Sequence, residues 1–255
     1  MRNVLSVFRN TLRHRNLPVM MYKARLRLSH FERAQRKLRP EAVSWCRAHH
    51  EEFASFAGSV NSGLLRETQQ FIEYLRARAQ GIERTRGTPL WGGAHFALLY
   101  FLARLSHPVT AVETGVAFGW SSAAILAALD VNGGGELFSS DFPSIYEKNP
   151  ESDIGLLVDT PLRKRWHLLL DGDRRNLKRI ISTVNRIDFL HYDSDKSYTG
   201  REFAISVVKQ KLSPNGILVF DDIGDNVHFR NYVIAHRAKF HVFEAANRYV
   251  GVIGL

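Results

Sequence analysis

From about residue 110 onward, short apolar runs recur at regular distances, at 111–114, 137–140, 167–170, 187–192, 217–220, 241–244 and 249–253. Helical periodicity fills most of the gaps, at 121–129, 173–184, 200–212 and 226–239. This alternation constrains the fold more than any other feature. It excludes a bundle or a sandwich and predicts a doubly wound α/β sheet of seven strands, mostly parallel and covered on both faces. The last two runs are separated only by residues 245–248, which is hairpin spacing and predicts an antiparallel last strand.

The chain before this region has a different character. Residues 1–86 read as helical, with no strand signal. Val4, Leu5, Phe8 and Leu12 share one face of a first helix, opposite Arg2, Arg9 and Arg13. A second, basic helix is expected over 21–38, stopping before Pro40. Asn61 or Ser62 caps a third, whose Leu64, Leu65, Phe71, Ile72 and Leu75 recur at helical spacing. Charge divides the chain in the same way. Residues 1–50 hold 12 Lys/Arg against Glu32 and Glu41 alone, whereas residues 51–255 hold 23 of each sign. The expected organisation is a basic helical arm or lid at 1–86 and an α/β domain at 87–255. A homodimer contact through the arm, an anionic membrane surface and, less favoured, nucleic acid are the partners such an arm suits.

No uncharged stretch is long enough to cross a bilayer, the longest being 87–103 and 114–129. Cys46 stands alone, which excludes an intramolecular disulfide and a cysteine-based zinc cluster. A cytoplasmic protein, peripheral to a membrane if the arm docks on one, is the expectation.

Ligands of a doubly wound sheet sit at the carboxyl ends of its strands. The sequence Val112-Glu113-Thr114-Gly115-Val116-Ala117-Phe118-Gly119-Trp120-Ser121-Ser122 reads as a strand, a glycine turn and a helix start. Gly115 permits a tight turn and Gly119 a close helix start. Asp141 follows the next strand and suits the two hydroxyls of a ribose. Gly172-Asp173 follows the third, where Asp173 caps a helix or reaches an adenine amino group. Asp193-Ser194-Asp195-Lys196 crowds the end of a buried strand, and Asp221-Asp222 ends another. Adjacent carboxylates repel, so a cation is their natural partner. His167 and His191 read as strand residues rather than ligands.

Together these segments resemble the class I S-adenosylmethionine-dependent methyltransferases, and most nearly a bacterial subgroup with the motifs D-S-D-x-x-Y and D-D-I. That subgroup is related to the caffeoyl-CoA and catechol O-methyltransferase type. The resemblance runs from about Trp91 to the C-terminus, on Glu113–Ser122, Arg165–Asp173, Asp193–Tyr198 and Asp221–Ile223. It implies a Rossmann-like sheet and S-adenosylmethionine as cofactor. Glu113, Gly115, Val116, Ala117, Gly119, Ser121, Ser122, Asp141, Gly172, Asp173 and Asp193 are the implied cofactor-binding residues. Asp193 and Lys196 are the implied catalytic pair, and Asp193, Asp221 and Asp222 the implied ligands of Mg2+ or another divalent cation. Related bacterial enzymes commonly carry His where Lys196 stands, which leaves the general base open. O-methylation of a small molecule or glycan is the function implied. The alternative is an RNA- or membrane-docking protein whose methyltransferase unit is secondary or inactive. A dinucleotide-dependent oxidoreductase would need a third glycine that the turn lacks.

Overall fold

The computed structural model describes residues 17–93, 95–143 and 150–255. The helix expected around Phe8 lies outside these residues. The elements run α1 (Leu17–Leu28), α2 (His30–Lys37), α3 (Arg39–His49), β1 (His50–Glu51), α4 (Phe53–Arg86), α5 (Phe96–Ser106), β2 (Thr110–Thr114), α6 (Trp120–Val131), β3 (Glu136–Ser140) and α7 (Pro150–Asp153). Then come β4 (Trp166–Leu169), α8 (Asp173–Thr183), β5 (Ile187–Tyr192), α9 (Tyr198–Val208), β6 (Leu212–Phe220), α10 (His228–His236), β7 (Phe240–Ala245) and β8 (Arg248–Ile253). Among the described residues no helix is long and apolar enough to cross a membrane.

The strands form one sheet in the order β1-β7-β8-β6-β5-β2-β3-β4. All neighbours are parallel except β8, which runs antiparallel to both β6 and β7. The strand order reverses direction at the β2–β5 boundary, the kind of point where a crevice opens. All seven expected strands form. The eighth, β1, comes from the segment expected to be wholly helical. Two residues carry too little periodicity to read, and His50 and Glu51 become a strand by pairing with Val242 and Phe243.

The two faces have separate cores. One lies under α4, α5 and α6, where Leu98 to Leu102 and Ala124 to Leu126 are sealed from solvent. Such a continuous run on α5 follows from its position between α4 and α6. The other core lies under α3, α8, α9 and α10, with Cys46, Leu177, Ala204 and Phe229.

The expected basic helix is broken in two at Ser29, whose hydroxyl caps α2 through the Glu32 amide. Pro40 then sits in the first turn of α3, where its missing N–H costs nothing. Asn61 interrupts α4 with extended backbone angles, and its Oδ1 accepts from the Leu64 amide at 2.9 Å. It is therefore a cap inside what is otherwise one helix.

Glu32 joins the N-terminal helices to the site. It is 2% exposed, and its carboxylate accepts from the amides of Tyr198 and Thr199 and from the Thr199 hydroxyl. These are the free amides at the start of α9, where a negative charge is favoured. Glu32→Ala leaves those donors buried without an acceptor, so the stability measured by urea unfolding should fall by about 1.5–3 kcal/mol.

Candidate active site

A cavity of about 1140 Å³ opens over the carboxyl ends of β2, β3, β4 and β5. Its floor is the turn after β2. Gly115 has φ +82°, and a Cβ there would lie 2.4 Å from the carbonyl oxygen of Asp193. That close approach is what only glycine allows. Asp141, just past β3, secures the same turn. Its Oδ2 accepts from the amides of Val116 and Ala117 at 2.9 Å each, and its Oδ1 from Phe142 at 2.7 Å. Burial pushes the Asp141 carboxyl up, while those three amides oppose the shift.

Gly115, Val116, Ala117, Ser121, Asp141, Gly172, Asp173 and Asp193 all line this one cavity. Asp173 begins α8 and accepts from the hydroxyls of Ser140, at 2.7 Å, and Ser194, at 2.5 Å. Three expected cofactor residues stand behind the wall. Glu113 is fully buried and accepts from Ser122 at 2.5 Å and Ser139 at 2.8 Å, which also accounts for Ser122. Gly119 is covered by the segment following α7, since a Cβ on it would lie 2.7 Å from Gly155 Cα. That segment is held by α4, where Arg86 grips Asp153 with two bonds and Arg78 donates to the Leu157 carbonyl.

The acids beyond β5 and β6 are arranged around cations. Lys196 Nζ contacts Asp193 Oδ1 and lies 3.0 Å from Asp222 Oδ2. Arg248, from β8, reaches the same Asp222 carboxylate at 3.1 Å. Burial works against ionisation of Asp222, yet Lys196 and Arg248 hold its pKa below the usual carboxylate range. Asp221 points elsewhere and does not line the cavity. It is buried, which raises its pKa against the pull of His191 and Lys196. Of the three residues expected to share a cation, Asp193 and Asp222 both meet Lys196, whereas Asp221 does not reach it. Asp222 is drawn to the lysine and arginine, while Asp193 and Asp221 remain close to His191.

Several site residues were not read from the sequence. Arg201 on α9 is fully buried, and its Nη2 donates to the carbonyls of Asp221, at 2.9 Å, and Asp222, at 2.8 Å. Arg248 sits in the hairpin strand, far from any motif. From α1, Val19, Met20, Tyr22 and Leu28 reach the cavity. Arg174 lies over the Tyr22 ring at 4.0 Å and over the Phe203 ring at 4.5 Å, tying α1 to α8 and α9. An arginine on an ordinary helix or strand carries no signal of its partner.

Residues 112–223 match the family model described as a methyltransferase domain. No curated protein matches the chain. Among solved structures, a methyltransferase from Geobacter sulfurreducens is 23% identical with a TM-score of 0.53, covering 71% of this chain and 88% of that one. An O-methyltransferase from Bacillus cereus, solved in complex with SAH, is 13% identical with a TM-score of 0.54, covering 80% of this chain and 97% of that one. At these identities the likeness is one of fold. The matched residues run from β2 to the turn beyond β6 and so contain the glycine turn and all the strand-end acids. Residues 112–223 are thus similar to a methyltransferase domain, carried on a sheet of this strand order.

Proposed function

We propose that this protein transfers the methyl group of S-adenosylmethionine to a hydroxyl oxygen of a small molecule or glycan. The observation that carries the reading is the convergence of Asp193, Lys196 and Asp222 on the same cavity as the glycine turn. The fold shared with the O-methyltransferase from Bacillus cereus supports it. In this reading the turn at Gly115–Ala117 holds the methionine portion, Asp141 faces the ribose, and Asp173 lies near the adenine.

The acceptor oxygen attacks the methyl carbon in line. A carbon–oxygen bond forms as the sulfur–methyl bond breaks, and its electron pair stays on sulfur. Most of the rate comes from alignment, since a sulfonium methyl is already electrophilic. Asp193 stands beside the reacting atoms and takes the hydroxyl proton within its pair with Lys196. The lysine ammonium, held between two carboxylates, orients the acceptor oxygen and offsets negative charge on it as the proton leaves. The buried, unpartnered Oδ1 of Asp221 beside Asp193 suits a divalent cation, although Asp222 is committed elsewhere. Such a cation, when bound, lowers the pKa of a coordinated hydroxyl.

The N-terminal helices close the cavity through α1, whose Val19 and Tyr22 lie against Gly172 and Arg174, as a lid in the unit 1–86. This favours a site-building role over docking on RNA. Its basic face leaves an anionic membrane surface as the second partner, for an enzyme working in the cytoplasm.

Three measurements test this. Calorimetry with S-adenosylhomocysteine should give micromolar binding, and Asp141→Asn, which turns an amide donor toward the loop amides, should weaken it by at least about tenfold, or 1.4 kcal/mol. Absent binding would refute the methyltransferase reading. Lys196→Met should slow methyl transfer by about 10²–10⁴ in a screen of hydroxylated acceptors while leaving homocysteine-product binding nearly unchanged. Tyr22→Ala, which frees Arg174, should speed S-adenosylhomocysteine release about fivefold in stopped flow. An unchanged release rate would remove the lid role of α1.

A further inference from the structure

His191 precedes Asp193 by two residues, so both side chains leave the same face of the sheet. Val219 of β6 is the register partner of His191, and Asp221 lies two residues beyond it, on that face again. The His191 ring has no exposed surface. Among the described residues neither ring nitrogen has a hydrogen-bond partner, and neither does Oδ1 of Asp221. One donor atom each from His191, Asp193 and Asp221 lies within 4.8 Å of the others.

Leaving such groups buried and unpaired costs on the order of 1–3 kcal/mol each. A single ion among the three donors would satisfy them together. Donors about 2.1 Å from an ion stand about 3 Å apart when adjacent and about 4.2 Å apart when opposite, so small rotations close the set. Behind the ring, Glu113 Oε1 lies 3.5 Å from Nδ1. Both residues are sealed from solvent. A small rotation of the ring would bring Nδ1 into hydrogen-bond reach of that carboxylate and leave Nε2 to the ion. Asp222 takes no part, because Lys196 and Arg248 hold its carboxylate.

We infer that His191, Asp193 and Asp221 form the cation site of this protein, one layer deeper than the Asp193-Asp221-Asp222 set expected from sequence. An imidazole nitrogen with two carboxylates selects a borderline ion such as Mn2+, Fe2+ or Co2+ over Mg2+, which prefers oxygen alone. The inference rests on the reading of these acids as cation-binding, and it changes which residue completes the set and which ion follows.

The test uses full-length protein freed of metal and reloaded with Mn2+. Electron spin-echo spectra of the wild type should carry modulation from a directly bound imidazole nitrogen. Mg2+ should displace Mn2+ only at about 100-fold or greater excess. His191→Gln should remove the modulation and weaken Mn2+ binding by at least about tenfold, whereas Asp222→Asn should leave it almost unchanged. Absence of nitrogen modulation in the wild type, or of any Mn2+ binding at millimolar concentration, overturns the inference, and neither result needs a folded variant. S-adenosylhomocysteine calorimetry on the same sample separates the two readings. Binding without nitrogen modulation overturns the His191 site alone, and modulation without binding overturns the methyltransferase reading alone.

Discussion

Beneath the tip of β6 lies the Arg201 guanidinium, with no exposed surface. It donates to the main-chain carbonyls of Asp221 and Asp222, and it can do so only because the chain turns sharply there. Asp222 is in the left-handed region at φ +53°, an uncommon state for a residue other than glycine. That twist separates two adjacent carboxylates that would otherwise repel side by side. One goes outward to Lys196 and Arg248, and the other stays inside, near His191. Burial lowers the pKa of the guanidinium, and three carboxylates nearby, Asp225, Asp222 and Asp221, oppose that fall only in part. The turn that parts Asp221 from Asp222 is thus bonded on both carbonyls to that one buried charge.

The sheet was legible because its signal is local. Each buried strand shows a run of apolar residues, and each helix shows its own period. The register Ile187–Tyr192 falls where the apolar run does, and the hairpin of β7 and β8 where the spacing does. The glycine turn was legible for the same reason, since positive φ restricts which residue can stand there. Asn61 was legible as a cap, although not as a break within a longer helix, because continuation depends on how both halves pack on α5.

Long-range pairing was not legible. Nothing in residues 1–50 marks Glu32 as a buried acid on the start of α9, 166 residues away. As a single acid in a basic run it reads as a surface charge. β1 exists only because β7 offers it an edge. His191 has the neighbours of any strand residue, and only the register brings it beneath Asp193 and Asp221. The pair Asp221-Asp222 announced that a cation was required, but not that two side chains of the chain itself, Lys196 and Arg248, would answer for one of the two acids.

The basic N-terminal segment invites a partner outside the molecule, yet its described part spends much of its chemistry inside. Glu32 holds α9, Tyr22 holds Arg174, and Arg39 and Glu41 face Asp225 and Arg230. α9 starts two residues after Lys196, so the helix that Glu32 anchors is the one that fixes the lysine loop. The remaining charge is a surface property, felt within about a Debye length and weakened by salt. α1 completes a wall of the cavity through Val19 and Leu28, so the segment that carries the excess charge is also one that builds the site.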